Sequence, residues 1–241
     1  MRAKISLAAF ALTVTIATVA LAAPRPSMPL SKSVGSPDSG RLIGGAELRG
    51  SRCVREVGTY RWGLPDLVGL VERSCKRVSE HHDGAVLSVG DLSKRGGGPI
   101  PGHHSHESGR DVDVGFYLLG PKNRQVFAPR IFAKVDEHGR TRAVSGARFD
   151  DAANWDLVQS LATDRSTPVL QIFIANILRQ RLLEYAARTG ASPRVRDRAA
   201  SLMLQPHHAL PHDDHFHVRI GCPRSSPECV TFATKRATHR Q

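Results

Sequence analysis

Aromatic side chains are scarce, at 5% of the chain, and acidic residues are outnumbered, 22 Asp and Glu against 34 Lys and Arg. With so few aromatics, basic residues scattered rather than striped, and no nucleic-acid-binding motif, nucleic acid is not the expected partner despite a net charge of +12. No internal repeat, no low-complexity tract and no regular strand–helix alternation is present. The 241 residues are therefore expected to form one α+β domain, a small and largely antiparallel sheet flanked by helices.

Only one apolar run is long. Leu7 to Leu21 follows Arg2 and Lys4 and precedes Ala20-Leu21-Ala22-Ala23, the layout of a secretory signal peptide over residues 1–23. No Cys stands near that cleavage point, so lipid attachment is not expected, and export should leave no stable membrane insertion. Without Arg2 and Lys4 the charge is +10, which favours polyanions, for an exported chain cell-wall polymers and membrane surfaces.

Cysteine is also sparse. Cys53, Cys75, Cys222 and Cys229 are an even set in an exported chain, so disulfides are expected before metal ligation. The short loop from Cys222 to Cys229 holds Pro223 and Pro227 and favours a bridge between them, leaving Cys53 for Cys75. The competing expectation is a buried free thiol at Cys75, on the apolar face of a helix.

Residues 24–41, rich in Pro, Ser and Gly, read as an N-terminal arm with little structure, and the domain is expected over 42–232 with a basic tail at 233–241. Apolar spacing predicts helices over 65–78, 150–162, 176–188 and 195–204. Strands are expected over 85–89, 111–118, 169–174 and 216–220.

Histidine is the one residue present in unusual concentration. Six of the twelve fall in Gly102–Val114 (Gly-His-His-Ser-His-Glu-Ser-Gly-Arg-Asp-Val-Asp-Val) and His212–Arg219 (His-Asp-Asp-His-Phe-His-Val-Arg). Strand alternation puts Asp111 and Asp113 on one face, and His215, His217 and Arg219 on one face of the last strand, each polar row over an apolar one. Pairing the two strands would set carboxylates beside imidazoles. His106, in a Gly- and Ser-containing approach, could fold back over that row. His, Asp and His suit Zn²⁺ and leave a position for water, whose pKa falls from about 15.7 to roughly 7 when bound. His212 and His215 remain as imidazoles for proton transfer. The helical His-Glu-x-x-His pattern is absent, since Arg110 stands where its second His would fall. His81, His82, His104, His138, His207 and His208 are given no role.

His106 to Asp113 matches a His-x6-Asp signature and His215-Phe-His217 a His-x-His signature, and together the chain resembles the zinc peptidases grouped with lysostaphin, D-alanyl-D-alanine metallopeptidases and hedgehog. Within that group Val89-Gly90-Asp91, the flanks of both segments and Cys222-Pro223 are similar to the penicillin-insensitive murein endopeptidase family. The resemblance implies a periplasmic Zn²⁺ enzyme that hydrolyses D-alanyl to meso-diaminopimelyl cross-links of peptidoglycan. It further implies His106, Asp113 and His217 as zinc ligands, His103 as a fourth or alternate ligand, His215 as general base and His212 as a second catalytic imidazole. Asp111 is expected to orient a ligand imidazole or pair with Arg219. A D,D-carboxypeptidase or dipeptidase on the same metal is the alternative, with Arg110 or Arg219 holding the substrate carboxylate; a non-catalytic wall- or zinc-binding module is the other.

Overall fold

A computed structural model describes residues 30–206 and 210–232; the expected signal peptide, the basic tail, and His207 and His208 lie outside the described residues. The chain opens with strands β1 (Lys32–Ser36), β2 (Ser39–Ile43), β3 (Ala46–Glu47), β4 (Val54–Glu56) and β5 (Trp62–Gly63), then helix α1 (Pro65–His81). Next come β6 (Leu87–Val89), β7 (Asp111–Gly115), β8 (Leu118–Leu119), β9 (Gln125–Val126) and β10 (Arg148–Phe149). Helix α2 (Asp151–Thr163), β11 (Val169–Phe173), α3 (Asn176–Arg188), α4 (Pro193–Leu202), β12 (Met203–Leu204) and β13 (His215–Ile220) complete the fold.

The helices begin where local chemistry allows. Pro65 occupies the first turn of α1, Asp150 caps α2 by accepting from the Ala152 and Ala153 amides, and Ser192 caps α4 just ahead of Pro193. α1 buries Leu67, Leu70, Val71, Cys75 and Val78 on one stripe and packs on α2, which in turn contacts α3 and α4.

Six strands form the main sheet in the order β12-β11-β13-β7-β6-β4. Its central pairings, β11 with β13, β13 with β7 and β7 with β6, are antiparallel, while the outer pairings of β12 and β4 are parallel. The α+β expectation holds, and the sheet is mixed at its edges. Val112, Val114, Phe216, Val218 and Ile220 enter the core as the alternation requires. Every residue of β7 is buried, so the opposite, polar face is covered as well.

The expectation of an unstructured arm over 24–41 fails for its described part beyond Lys32. β1 and β2 pair as an antiparallel hairpin that is tied to the C-terminal loop and to the loop before β7. Gly35 donates to the Glu228 carbonyl and its own carbonyl accepts from the Val230 amide, while Gly40 donates to Glu107 Oε2 at 3.1 Å and Glu107 donates to the Pro37 carbonyl. Such pairing is long-range, and local composition does not report it. The C-terminal loop in this contact is closed by a Cys222–Cys229 disulfide, and a Cys53–Cys75 disulfide joins the start of β4 to α1. Cys75 is therefore not a free thiol.

Candidate metal centre

β7 and β13 lie side by side in a register that pairs Asp113 with His217 and Arg219 with Asp111. The carboxylate row therefore sits beside the imidazole row. His106 comes from the loop before β7, in a left-handed backbone conformation at φ 72° that is uncommon for a residue with a Cβ. Three groups meet: His106 Nε2 lies 3.3 Å from His217 Nδ1 and 3.3 Å from Asp113 Oδ1, and His217 Nδ1 lies 3.1 Å from Asp113 Oδ1. All three residues are buried, with exposures of 0%, 3% and 6% for His106, Asp113 and His217.

The outer nitrogen of each imidazole has its own acceptor. His106 Nδ1 donates to the Leu92 carbonyl at 2.8 Å, and His217 Nε2 donates to Asp111 Oδ1 at 3.0 Å. With those protons committed, the inner nitrogens present lone pairs. They face a buried carboxylate oxygen, Asp113 Oδ1, that makes no hydrogen bond of normal geometry among the described residues. Two lone pairs and an anionic oxygen at this separation repel one another unless a cation lies between them. The spacing fits one: bonds of about 2.0–2.1 Å in tetrahedral geometry put ligand atoms roughly 3.3–3.4 Å apart. The residues present therefore fit a metal ion.

His103 borders this triangle. Its Nδ1 is 3.5 Å from Asp113 Oδ2 and its Nε2 is 3.3 Å from Asp91 Oδ2, and ligand atoms of His103, His106 and Asp113 lie within 4.8 Å of one another. This is looser than the triangle closed by His217. Asp91 was not expected here. Its other oxygen accepts from the Thr59 and Tyr60 amides, so it ties His103 to a distant turn, and only tertiary structure brings those groups together.

His215 approaches from the strand side, with Nε2 3.5 Å from Asp113 Oδ1 and Nδ1 2.5 Å from Asp214 Oδ1. Burial alone lowers the His215 pKa, but hydrogen bonds and charge from Asp113 and Asp214 outweigh it and raise the group to about 9. His212 lies beside it, ring centroids 4.9 Å apart, and burial together with the neighbouring His215 charge pushes it down to about 4. Neighbouring imidazoles thus differ in protonation. Asp214 also escaped the sequence reading, although a carboxylate directly before a proton-transfer histidine was a visible signal. Asp111 and Asp113 resist protonation: burial opposes their charge, but Arg219 and His217 around Asp111, and the histidines around Asp113, hold both carboxyls well below the usual range.

Arg110 is not a substrate contact. Its side chain is fully buried and donates to the Ile220 and Val230 carbonyls at 3.4 Å and 2.6 Å, fastening the C-terminal loop to the start of β7. Arg219 Nε is held by Asp111 Oδ1 at 2.5 Å. Asp136 accepts from the His138 and Arg140 amides in a loop, and His81 and His82 both contact Asp156, away from the cluster.

A buried His-Asp-His triangle with spare imidazoles at its rim is the equipment of a hydrolase, and the family whose model matches this chain is one of peptidases. That match covers residues 33–239 and carries the description penicillin-insensitive murein endopeptidase. Curated proteins of that name from Salmonella heidelberg (strain SL476) and Salmonella paratyphi C (strain RKS4594) are each 30% identical to the chain, over 209 and 208 residues. Each alignment covers 83% of this chain and 69% of the relative. The chain belongs to the penicillin-insensitive murein endopeptidase family and is a peptidase.

Proposed function

We propose that the protein is a zinc-dependent endopeptidase of the periplasm, reached through the signal peptide at residues 1–23, that hydrolyses D-alanyl to meso-diaminopimelyl cross-links in peptidoglycan. The observation that carries this reading is the convergence of His106 Nε2, His217 Nδ1 and Asp113 Oδ1, with the outer nitrogens of both rings already engaged by the Leu92 carbonyl and Asp111. The relatives named for murein cleavage supply the substrate class.

Bound zinc would polarise the scissile carbonyl and make water acidic enough to attack near neutral pH. The chain's own residues do the rest. His106, Asp113 and His217 hold the ion, with His103 as a further ligand or a neighbour that steadies Asp113. Asp111 fixes the His217 tautomer by accepting from Nε2 and is itself anchored by Arg219. His215, clamped by Asp214 at Nδ1, directs Nε2 at the cluster and moves the proton between water and the departing amine. With a cation held by Asp113, His215 would keep Asp214 as its partner at Nδ1 and would have Nε2 open toward the water. His212 stays neutral at pH 7 and is a proton acceptor at the rim.

A carboxypeptidase needs a free cation beside the metal for the terminal carboxylate. Arg110 is buried in another contact and Arg219 is engaged by Asp111, which disfavours that activity. A module that only binds zinc or wall polymer has no use for His212 and His215. Digestion of purified sacculi separates these readings. Cross-linked dimers should fall to monomers; dimers that persist while pentapeptide stems shorten would overturn the proposal.

A further inference from the structure

His215 is hydrogen-bonded by Asp214 at Nδ1, while its Nε2 faces Asp113 Oδ1 at the looser distance of 3.5 Å. A single hydrogen bond from a neighbouring residue leaves the imidazole plane soft, because the terminal torsion of histidine is broad. The face of the ring is covered from elsewhere. Phe132 stacks on it with centroids 4.9 Å apart and planes 20° from parallel. It comes from the loop between β9 and β10, which is pinned beside the site where the Val135 amide donates to the Asp213 carbonyl.

The space for that ring is made by two glycines. Gly90 follows β6 and Gly115 ends β7, where it is the cross-strand partner of His215. A Cβ on Gly90 would meet Phe132 Cζ at 2.6 Å, and one on Gly115 would meet Phe132 Cδ1 at 2.8 Å. Any side chain at either position would lift the ring off the sheet. Two adjacent strands thus lack side chains on the face where a phenyl ring lies flat against the imidazole.

We propose that Phe132 is a positioning residue for His215: seated in the Gly90–Gly115 notch, it fixes the imidazole plane so that Nε2 faces the His106–Asp113–His217 cluster. The proposal rests on His215 as the proton carrier of the endopeptidase. Phe132 touches no reacting atom. Its effect should appear in turnover rather than in substrate binding or metal content.

Two variants reach the ring by independent routes. Phe132→Leu removes it, and Gly115→Ala displaces it while leaving His215 and Phe132 both in place. Each should lower kcat on cross-linked muropeptide dimers by roughly ten- to a hundredfold, the order expected for a misplaced catalytic group, with KM and bound metal unchanged. Because both act through one ring, the double variant should be no slower than Phe132→Leu alone. In histidine-labelled protein, the His215 ring protons should resonate upfield from stacking and move downfield in both variants, which thermal unfolding must show to be folded. A Phe132→Leu enzyme within twofold of the parent kcat, losses that multiply in the double variant, or an unmoved His215 resonance would overturn the proposal. A parent protein that leaves dimers uncut contradicts the endopeptidase reading instead, and the resonance still decides whether Phe132 holds His215.

Discussion

The two halves of the candidate metal centre are built in different ways. Asp113 and His217 arrive on adjacent strands whose alternation and register bring Asp113, His217, Asp111 and Arg219 onto one face, so a single local rule places four side chains. His103 and His106 arrive on a loop whose local ties are two long hydrogen bonds, the His106 amide to Asp111 Oδ2 at 3.3 Å and the His103 amide to the Ile100 carbonyl at 3.4 Å. His106 depends on a strained backbone at φ 72°, on the Leu92 carbonyl and on a Ser93 hydroxyl that donates to its own carbonyl; His103 depends on Asp91. The loop is held in turn by an N-terminal hairpin, through Gly40 and Glu107, 67 residues apart in the chain. The strand half should therefore be rigid and unforgiving, and the loop half the part that yields.

The largest effect is expected from the strand half. Asp113→Ala removes the oxygen shared by the imidazoles and should lower dimer cleavage to below about 1% of the parent, with loss of bound metal by elemental analysis. Asp111→Asn, still in the strands, keeps the shape but weakens the acceptor for His217 and leaves the Arg219 charge poorly matched. Metal affinity should fall about 10–100-fold in competition with a chelating dye. A smaller effect belongs to the loop. Glu107→Ala cuts one tie between hairpin and loop and should cost about 1 kcal/mol of stability, with a metal affinity loss below about tenfold. If Glu107→Ala reduced affinity more than Asp111→Asn, the ranking of the two halves would be reversed.

The smallest effect lies outside both halves. Burial opposes the Asp164 charge, but Arg73 and the Ser166 and Thr167 amides hold the carboxyl below its ordinary value. A depressed folded pKa stabilises the protein above the unfolded value and loses that contribution as pH falls through the folded one. Asp164→Asn should cost about 0.5 kcal/mol at pH 7, since Arg73 is partly exposed, and progressively less below pH 4, with activity unchanged.

The same contrast explains what could be read from the chain. α3 spans the residues its apolar spacing predicts, and α1 runs on three residues beyond Val78 to His81. β7 and β13 declared their polar faces because strand alternation is a local property. The hairpin over Lys32–Ile43 did not, because its Gly- and Ser-rich strands are ordered by partners at residues 107 and 226–230. Arg110 looked available because proximity in sequence to Asp111 suggested the site, whereas its side chain turns to the far edge of β13. Phe132 carries no pattern at all, and Asp91 stood only in the Val89-Gly90-Asp91 likeness, which assigned it no role. Their roles arise from a notch and a turn assembled by tertiary contacts.

The central claim is that His106, Asp113 and His217 hold one metal ion on which cleavage depends. Its most direct test strips the purified protein with a chelator, follows hydrolysis of cross-linked muropeptide dimers, and then restores zinc while counting ions bound. Cleavage should vanish on stripping and return in full at one equivalent of zinc, with no return in Asp113→Ala. Undiminished cleavage by the stripped protein would contradict the account.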